Sequence, residues 1–250
     1  QYTGCCALFT ESTTKHNAKQ KNIFLFQLLI NKWTISMRFT KTLLTTALLG
    51  ASVFSFQSTA WADTPEQQYQ QGLIAYKQSD YQTAFKLWLP LAEQGDALVQ
   101  TLLGTMYEAG VGVKRDYVEA VKWYRQAAEQ GFPVAQNKLG SAYSTGRGVK
   151  RDDVEAVKWY RKAAKMQYAD AQLNLGNMYF DGRGVKQDDV ESVKWYRKAA
   201  EQGHAKAQFI LAGLYLLGKG VQVNKSLAKE WLGKACDNGV QEGCEYYGKL

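Results

Sequence analysis

The chain writes out one unit of 36 residues several times. Trp123, Trp159, Trp195 and Trp231 are in phase, as are Tyr107, Tyr143, Tyr179 and Tyr215. So are Gly110, Gly146, Gly182 and Gly218, and the Ala-Gln pairs that begin at Ala135, Ala171 and Ala207. Self-similarity at this fixed period means stacked supersecondary units, none of which buries its apolar stripe alone. The expectation is one all-α repeat domain over 63–250. It should contain helical hairpins at about 66–94, 97–130, 133–166, 169–202 and 205–238, and a capping helix at 240–250.

Local chemistry gives each hairpin its boundaries. Asp80, Asp116, Asp152, Asp188 and Asn224 recur at the 36-residue step, each just before a helical pattern, and all are good N-cap residues. Glu119, Glu155 and Glu191 follow three positions after three of them, which predicts capping boxes. The second helix of a unit (helix B) then presents an apolar side, exemplified by Val121, Trp123, Tyr124, Ala127 and Ala128. It ends at Gly95, Gly131, Gly203 or Gly239, the residue type that accepts a left-handed backbone. Gln167 takes that place in one unit, so Met166-Gln167-Tyr168 is expected to turn less regularly.

The front of the chain has a different character. Residues 1–36 carry no repeat and read as sequence upstream of the true start. From Met37 the chain shows a basic pair, Arg38 and Lys41, then an apolar run from Leu43 to Phe56, then Ala60-Trp61-Ala62 before Asp63. That order predicts a cleavable signal peptide over 37–62 and a periplasmic or secreted protein. The alternative is a membrane anchor, for which this apolar run is short of the roughly 20 residues a spanning helix needs.

Setting residues 1–62 aside changes the charge argument. They hold 6 of the 31 Lys and Arg but 1 of the 23 Asp and Glu, leaving 63–250 with a net charge of +3. A mixed-sign surface of that balance is an ordinary solvated exterior and gives no reason to expect a nucleic-acid partner. Of the two cysteines in 63–250, Cys236 falls near the end of one predicted helix and Cys244 in the first turn of the next. In an oxidising compartment they are expected to pair; two free buried thiols are the alternative.

The later units also place four extra residues between their two helices, Gly110-Val-Gly-Val113, Gly146-Arg-Gly-Val149, Gly182-Arg-Gly-Val185 and Gly218-Lys-Gly-Val221. With Ala-Gln opening helix A and Ala-x-x-Trp-Tyr-x-x-Ala-Ala in helix B, roughly residues 70–250 resemble the Sel-one-like repeat family of tetratricopeptide-like proteins. The resemblance implies a right-handed superhelical α-solenoid that scaffolds protein complexes, without cofactor or catalysis. For exported cysteine-rich members it implies an alternative, β-lactam binding or hydrolysis. One cysteine pair stands here where such members carry one in nearly every repeat.

Apparent chemical motifs dissolve into the repeat. Gly213-Leu-Tyr-Leu-Leu-Gly-Lys219 lacks the Ser or Thr of a phosphate loop and lies at a helix end. Ser226-Leu-Ala-Lys229 matches a Ser-x-x-Lys nucleophile motif but lies in the first turn of a helix B. His204, the single histidine of 63–250, is read as an exposed loop residue and offers no zinc or triad site.

What remains is a surface. If helix A lines the concave face of the stack, each unit displays a few side chains there. By phase these are Thr101, Asn137, Leu173 and Phe209; Thr105, Ser141, Asn177 and Gly213; and Glu108, Ser144, Phe180 and Leu216. They vary while neighbouring positions repeat, and they run from polar to apolar along the chain. Such an apolar gathering reads either as a docking groove for a peptide or protein or as core beneath the C-terminal cap.

Overall fold

The computed structural model describes residues 64–250, and the proposed upstream segment 1–36 and signal 37–62 lie outside them. Among the described residues there are eleven helices and no strand. Five hairpins follow one another: α1 (Pro65–Lys77) with α2 (Tyr81–Glu93), α3 (Ala97–Ala109) with α4 (Tyr117–Glu129), α5 (Pro133–Thr145) with α6 (Asp153–Lys165), α7 (Ala169–Asp181) with α8 (Asp189–Glu201), and α9 (Ala205–Leu217) with α10 (Lys225–Asp237). The short α11 (Gln241–Tyr247) closes the stack. Each first helix packs on its partner in the hairpin, and each second helix packs on that partner and on the helix that follows it, which makes an α-solenoid.

Capping sets where the second helices begin. Asp80, Asp116, Asp152, Asp188 and Asn224 each accept a hydrogen bond from the backbone N–H three residues on. The predicted capping boxes form only by half. Glu119, Glu155 and Glu191 give their backbone N–H to the aspartate, but their carboxylates pair outward with Lys122, Lys158 and Lys194 at 2.6, 2.8 and 2.9 Å. Among the described residues the reciprocal box occurs once, between Thr64 and Gln67.

The extra loop has a steric cause. The second glycine of each Gly-x-Gly-Val segment lies against the backbone of the first residue of the preceding helix B. Gly112 meets Tyr81, Gly148 meets Tyr117, Gly184 meets Asp153 and Gly220 meets Asp189, so close that a Cβ would overlap the carbonyl. These glycines also hold φ between 67° and 74°. The loop therefore fastens each hairpin to the one before it. Within the hairpins, Gly104, Gly140 and Gly176 on the first helices take the rings of Tyr124, Tyr160 and Tyr196 directly against their backbone.

A glutamine ladder runs between hairpins. Gln100, Gln136, Gln172 and Gln208 are buried and donate to the carbonyls of Ala92, Ala128, Ala164 and Ala200. Three of them also accept at Oε1 from the C-cap residue just after the following helix B: Gln130 at 2.8 Å, Gln202 at 2.7 Å and Asn238 at 2.9 Å. Met166 stands where the fourth donor belongs, and Gln136 Oε1 is buried without a hydrogen-bond partner among the described residues. Next to it, Gln167 adopts φ 62°. The expected irregularity is therefore absent from the path of the chain. Tyr168 N donates to Ala163 O at 3.2 Å, as Phe132 N donates to Ala127 O at 3.1 Å. The cost appears as a left-handed glutamine and an unmet acceptor instead.

Cys236 and Cys244 form a disulfide with Cα atoms 4.7 Å apart, tying α11 to α10. No described helix is long and apolar enough to cross a membrane.

Candidate partner-binding face

The first helices of successive hairpins, α3, α5, α7 and α9, form the face on which the variable positions fall. Not all of them can contact a partner. Thr101, Ser144 and Leu173 are buried, so they lie beneath that surface; Thr101 donates its hydroxyl to Ala97 O, and Leu173 belongs to the core shared by α7 to α10. Glu108, Asn137, Asn177, Phe180, Phe209 and Leu216 are half-buried. Sequence phase misses a further column one residue along, Leu102, Lys138, Asn174 and Ile210, which is half-exposed beside them. It changes chemistry at every unit, and that variation was the signal that would have found it.

Between consecutive hairpins this face opens into a crevice, built from corresponding positions each time but filled differently. Between α3 and α5, Glu108 Oε2 accepts from Lys138 Nζ at 2.9 Å and from the Tyr124 hydroxyl at 2.7 Å. Burial opposes the charge on Glu108, but the bonds from Lys138 and Tyr124 outweigh it and hold the carboxyl below its usual value. Burial, with the acceptor Glu108 beside it, pushes the Tyr124 hydroxyl up. Arg147, from the Gly-x-Gly loop, stands 5.8 Å from the Tyr117 ring centroid. The space left in this crevice is about 20 Å³, room for about one water.

Between α5 and α7 the loop residue is Arg183. Its Nη2 donates to Ser144 Oγ at 2.9 Å, Ser144 O at 3.0 Å and Asp153 Oδ1 at 2.7 Å. Arg151 donates to Asp153 Oδ2 at 2.7 Å, and Asn174 bridges to Asn137 at 2.9 Å. Burial opposes the charge of Asp153, yet the hydrogen bonds from Arg151 and Arg183 keep its carboxyl below the ordinary range.

Between α7 and α9 the same places hold Phe180, Ile210, Leu217, Lys219 and Asp189. Lys219 Nζ lies 3.7 Å from the Phe180 ring centroid and 3.7 Å from Asp189 Oδ1, beyond hydrogen-bond reach. Asp189 Oδ1 is buried and has no hydrogen-bond partner among the described residues. Leu217 is 76% exposed, and a side chain added at Gly213 would meet nothing within 4 Å. Further along, Phe209 lies 6.1 Å from the Tyr246 ring of α11, so the cap covers part of the apolar end and leaves Leu217 uncovered.

The remaining motif residues have structural places. His204 is the N-cap of α9, not a free loop residue. Its Nδ1 accepts from Ala207 N at 3.3 Å and its Nε2 faces Asp170 Oδ1 at 3.0 Å, which makes Nε2 the protonated nitrogen. Ser226 is exposed in the first turn of α10, while the Lys229 ammonium stands 5.2 Å from the Tyr247 ring. Among the described residues no group of three or more His, Cys, Asp or Glu is placed to hold a metal ion.

Comparison with known proteins follows the same architecture. The Sel1 repeat family model matches residues 69–96, 97–132, 133–168, 169–204 and 205–240. Among solved structures, a protective antigen of uropathogenic Escherichia coli displaying an SLR fold is 36% identical, with TM-score 0.69 over 74% of this chain and 40% of that one. The chain thus spans well under half of that antigen's length. A Sel1 repeat protein from Oxalobacter formigenes is 35% identical, with TM-score 0.69 over 72% of this chain and 74% of that one. A sel1 repeat protein from Klebsiella pneumoniae is 25% identical at TM-score 0.51. No curated protein matches the chain. The five matched units coincide with the hairpins and their glycine loops, and the chain belongs to the Sel1 repeat family.

Proposed function

We propose that this protein is an exported, non-catalytic scaffold that holds a peptide or protein segment across the face formed by α3, α5, α7 and α9. Membership of the Sel1 repeat family is consistent with a protein-interaction scaffold. The observation that carries the proposal is the contrast within each unit. The packing residues recur at the 36-residue step, whereas the residues on this face change at every junction and end in an uncovered apolar crevice. A solenoid that served only to fold would have no reason to leave Leu217 exposed over an open glycine. Export is supported by the Cys236–Cys244 bridge, which persists in oxidising surroundings, and by the signal-like segment 37–62.

Two experiments test this reading. The immobilised protein is exposed to envelope extract beside a Phe180→Asp/Phe209→Asp variant that still folds by circular dichroism. Retention of a partner by the natural chain and its loss from the variant is the expected result; equal retention moves the interface off this face. Export is tested by mass spectrometry of the protein from the envelope fraction, where an N-terminus at Asp63 is expected. Full-length chain confined to the cytoplasm refutes it.

A further inference from the structure

We infer that the crevice between α7 and α9 binds an arginine side chain of the protein partner. Its guanidinium lies on Phe180 and pairs with Asp189, and the partner's neighbouring apolar side chain covers Gly213 and Leu217. The inference deepens the scaffold reading and rests on it.

The argument comes from comparing the two copies of one position. In the preceding crevice, Asp153 receives two guanidinium groups, Arg151 at Oδ2 and Arg183 at Oδ1. One 36-residue step later the carboxylate is kept as Asp189, but Gln187 replaces the first arginine and Lys219 the second. The ammonium of Lys219 stops at 3.7 Å, and Oδ1 is left buried with no hydrogen bond. A buried carboxylate oxygen without a donor is an unfavourable arrangement in a folded chain. Its other oxygen has lost the guanidinium that Arg151 supplies in the earlier unit.

The second acceptor of Arg183 has changed in a matching way. Ser144, which takes two bonds from that guanidinium, becomes Phe180 one unit later. An aromatic face beside a carboxylate suits a planar guanidinium better than an ammonium, because the plane can stack on the ring while its edge donates to both oxygens. Lys219 already marks the spot, with its ammonium 3.7 Å from the Phe180 centroid. Its side chain is 37% exposed, so it can swing into solvent when a better-fitting cation arrives.

The apolar part of the ligand has its own observation. Gly72, Gly104, Gly140 and Gly176 sit mid-helix because an aromatic ring presses on their backbone, whereas Gly213 has nothing over it. Glycine inside a helix is unfavourable relative to alanine, and no contact among the described residues explains this one. Beside it, Ile210 is half-exposed and Leu217 exposed. A guanidinium site with an open apolar notch next to it fits a segment carrying arginine adjacent to leucine or a similar residue.

The test uses synthetic acetyl-leucyl-arginyl-leucinamide and its citrulline analogue, the uncharged near-isostere, titrated against the intact protein. Amide chemical shifts of Ile210, Gly213, Leu217 and Lys219 are followed, with Lys138 and Ser141 of the α3–α5 crevice as internal reference. Saturable shifts confined to the α7–α9 crevice are expected with the arginine peptide, at least tenfold weaker with citrulline. Asp189→Asn should abolish the difference, and Lys219→Ala should tighten binding. The decisive variant is Lys219→Arg, which keeps the charge and supplies the chain's own guanidinium. It should weaken the peptide at least tenfold. Indifference between the two peptides, or undiminished binding to Lys219→Arg, overturns the inference. These readouts need no native partner. An arginine preference found here while Phe180→Asp/Phe209→Asp still captures its partner sustains the arginine site and refutes the face as the place of docking.

Discussion

The turn at Met166-Gln167 offers a perturbation whose sign follows from two independent observations. Gln167 holds φ 62° where the other helix B ends have glycine. A left-handed backbone costs an L-residue about 1–2 kcal/mol. Replacing it with glycine removes that strain, but glycine has more freedom to lose on folding, worth about 0.5–1 kcal/mol. The net expectation for Gln167→Gly is a gain of about 0.5–1 kcal/mol. Met166→Gln supplies the missing donor to Gln136 Oε1, in the geometry of the Gln130–Gln100 and Gln202–Gln172 pairs. A net hydrogen bond contributes about 1 kcal/mol, and Met166 is 55% exposed, so little apolar burial is lost. Together the two changes should add about 1.5–2 kcal/mol. For a chain of this size each kcal/mol moves the melting temperature by about 2–4 °C. Urea unfolding followed by circular dichroism and by tryptophan fluorescence measures this, two probes being needed because long repeat arrays can lose two-state behaviour. The mirror experiment is Gln130→Met with Gly131→Gln. A side chain at Gly131 meets nothing within 4 Å, so its cost isolates the backbone strain at φ 90° and the lost ladder bond. If Gln167→Gly lowers stability while Gly131→Gln leaves it unchanged, the account of this turn is wrong.

Three further outcomes are expected. Trp159 is 6% exposed and packs into the core shared by α4 and α5, so Trp159→Ala should cost about 3–5 kcal/mol in the same urea assay. Asp152→Ala removes the cap on α6, whose side chain accepts from Glu155 N, and should cost about 1 kcal/mol, whereas Asp152→Asn should be nearly neutral. Because the folded carboxyls of Glu108 and Asp153 lie below their unfolded values, their stabilisation is present above the unfolded carboxylate pKa, near 4, and is lost as pH falls through the folded values. Urea midpoints should therefore drop on acidification from about pH 5 to pH 3, less steeply in Glu108→Gln; an unchanged slope in that variant would show that Glu108 carries none of the effect.

The helices were legible because their stop and start signals are local and written in phase. Asp116, Asp152 and Asp188 cap with one geometry, and Gly110, Gly146 and Gly182 end their helices left-handed. Where a signal depends on competition, the pattern misleads. Glu119, Glu155 and Glu191 have a lysine three residues on, and that lysine takes the carboxylate away from the cap. His204 read as a loop residue because histidine is not an ordinary cap, yet its Nδ1 does what an aspartate oxygen does elsewhere. The candidate face was half legible. Phase places all of these positions on the first helices of the hairpins, but burial of Thr101, Ser144 and Leu173 depends on how far each A helix is rotated against its neighbours. Crevice chemistry was hidden altogether, because Arg183 meets Ser144 and Asp153, which are 39 and 30 residues away in sequence.

That hidden coupling gives the loop a second consequence beyond fastening the stack. Backbone contact by Gly148, Gly184 and Gly220 holds each loop in the same place on the preceding hairpin. The residue between the two glycines is then delivered to the same point of each crevice, whatever its chemistry. Arg147 arrives beside Tyr117, Arg183 between Ser144 and Asp153, and Lys219 between Phe180 and Asp189. A substitution there changes what one crevice offers without moving a helix, because the glycines, not the side chain, carry the loop's geometry. The first two crevices are closed by hydrogen-bonded charges, and in the third Lys219 lies on the Phe180 ring but leaves Asp189 Oδ1 without a hydrogen bond among the described residues. A partner that reads this face therefore finds two satisfied junctions and one unsatisfied junction, and the free energy of docking should concentrate at the third.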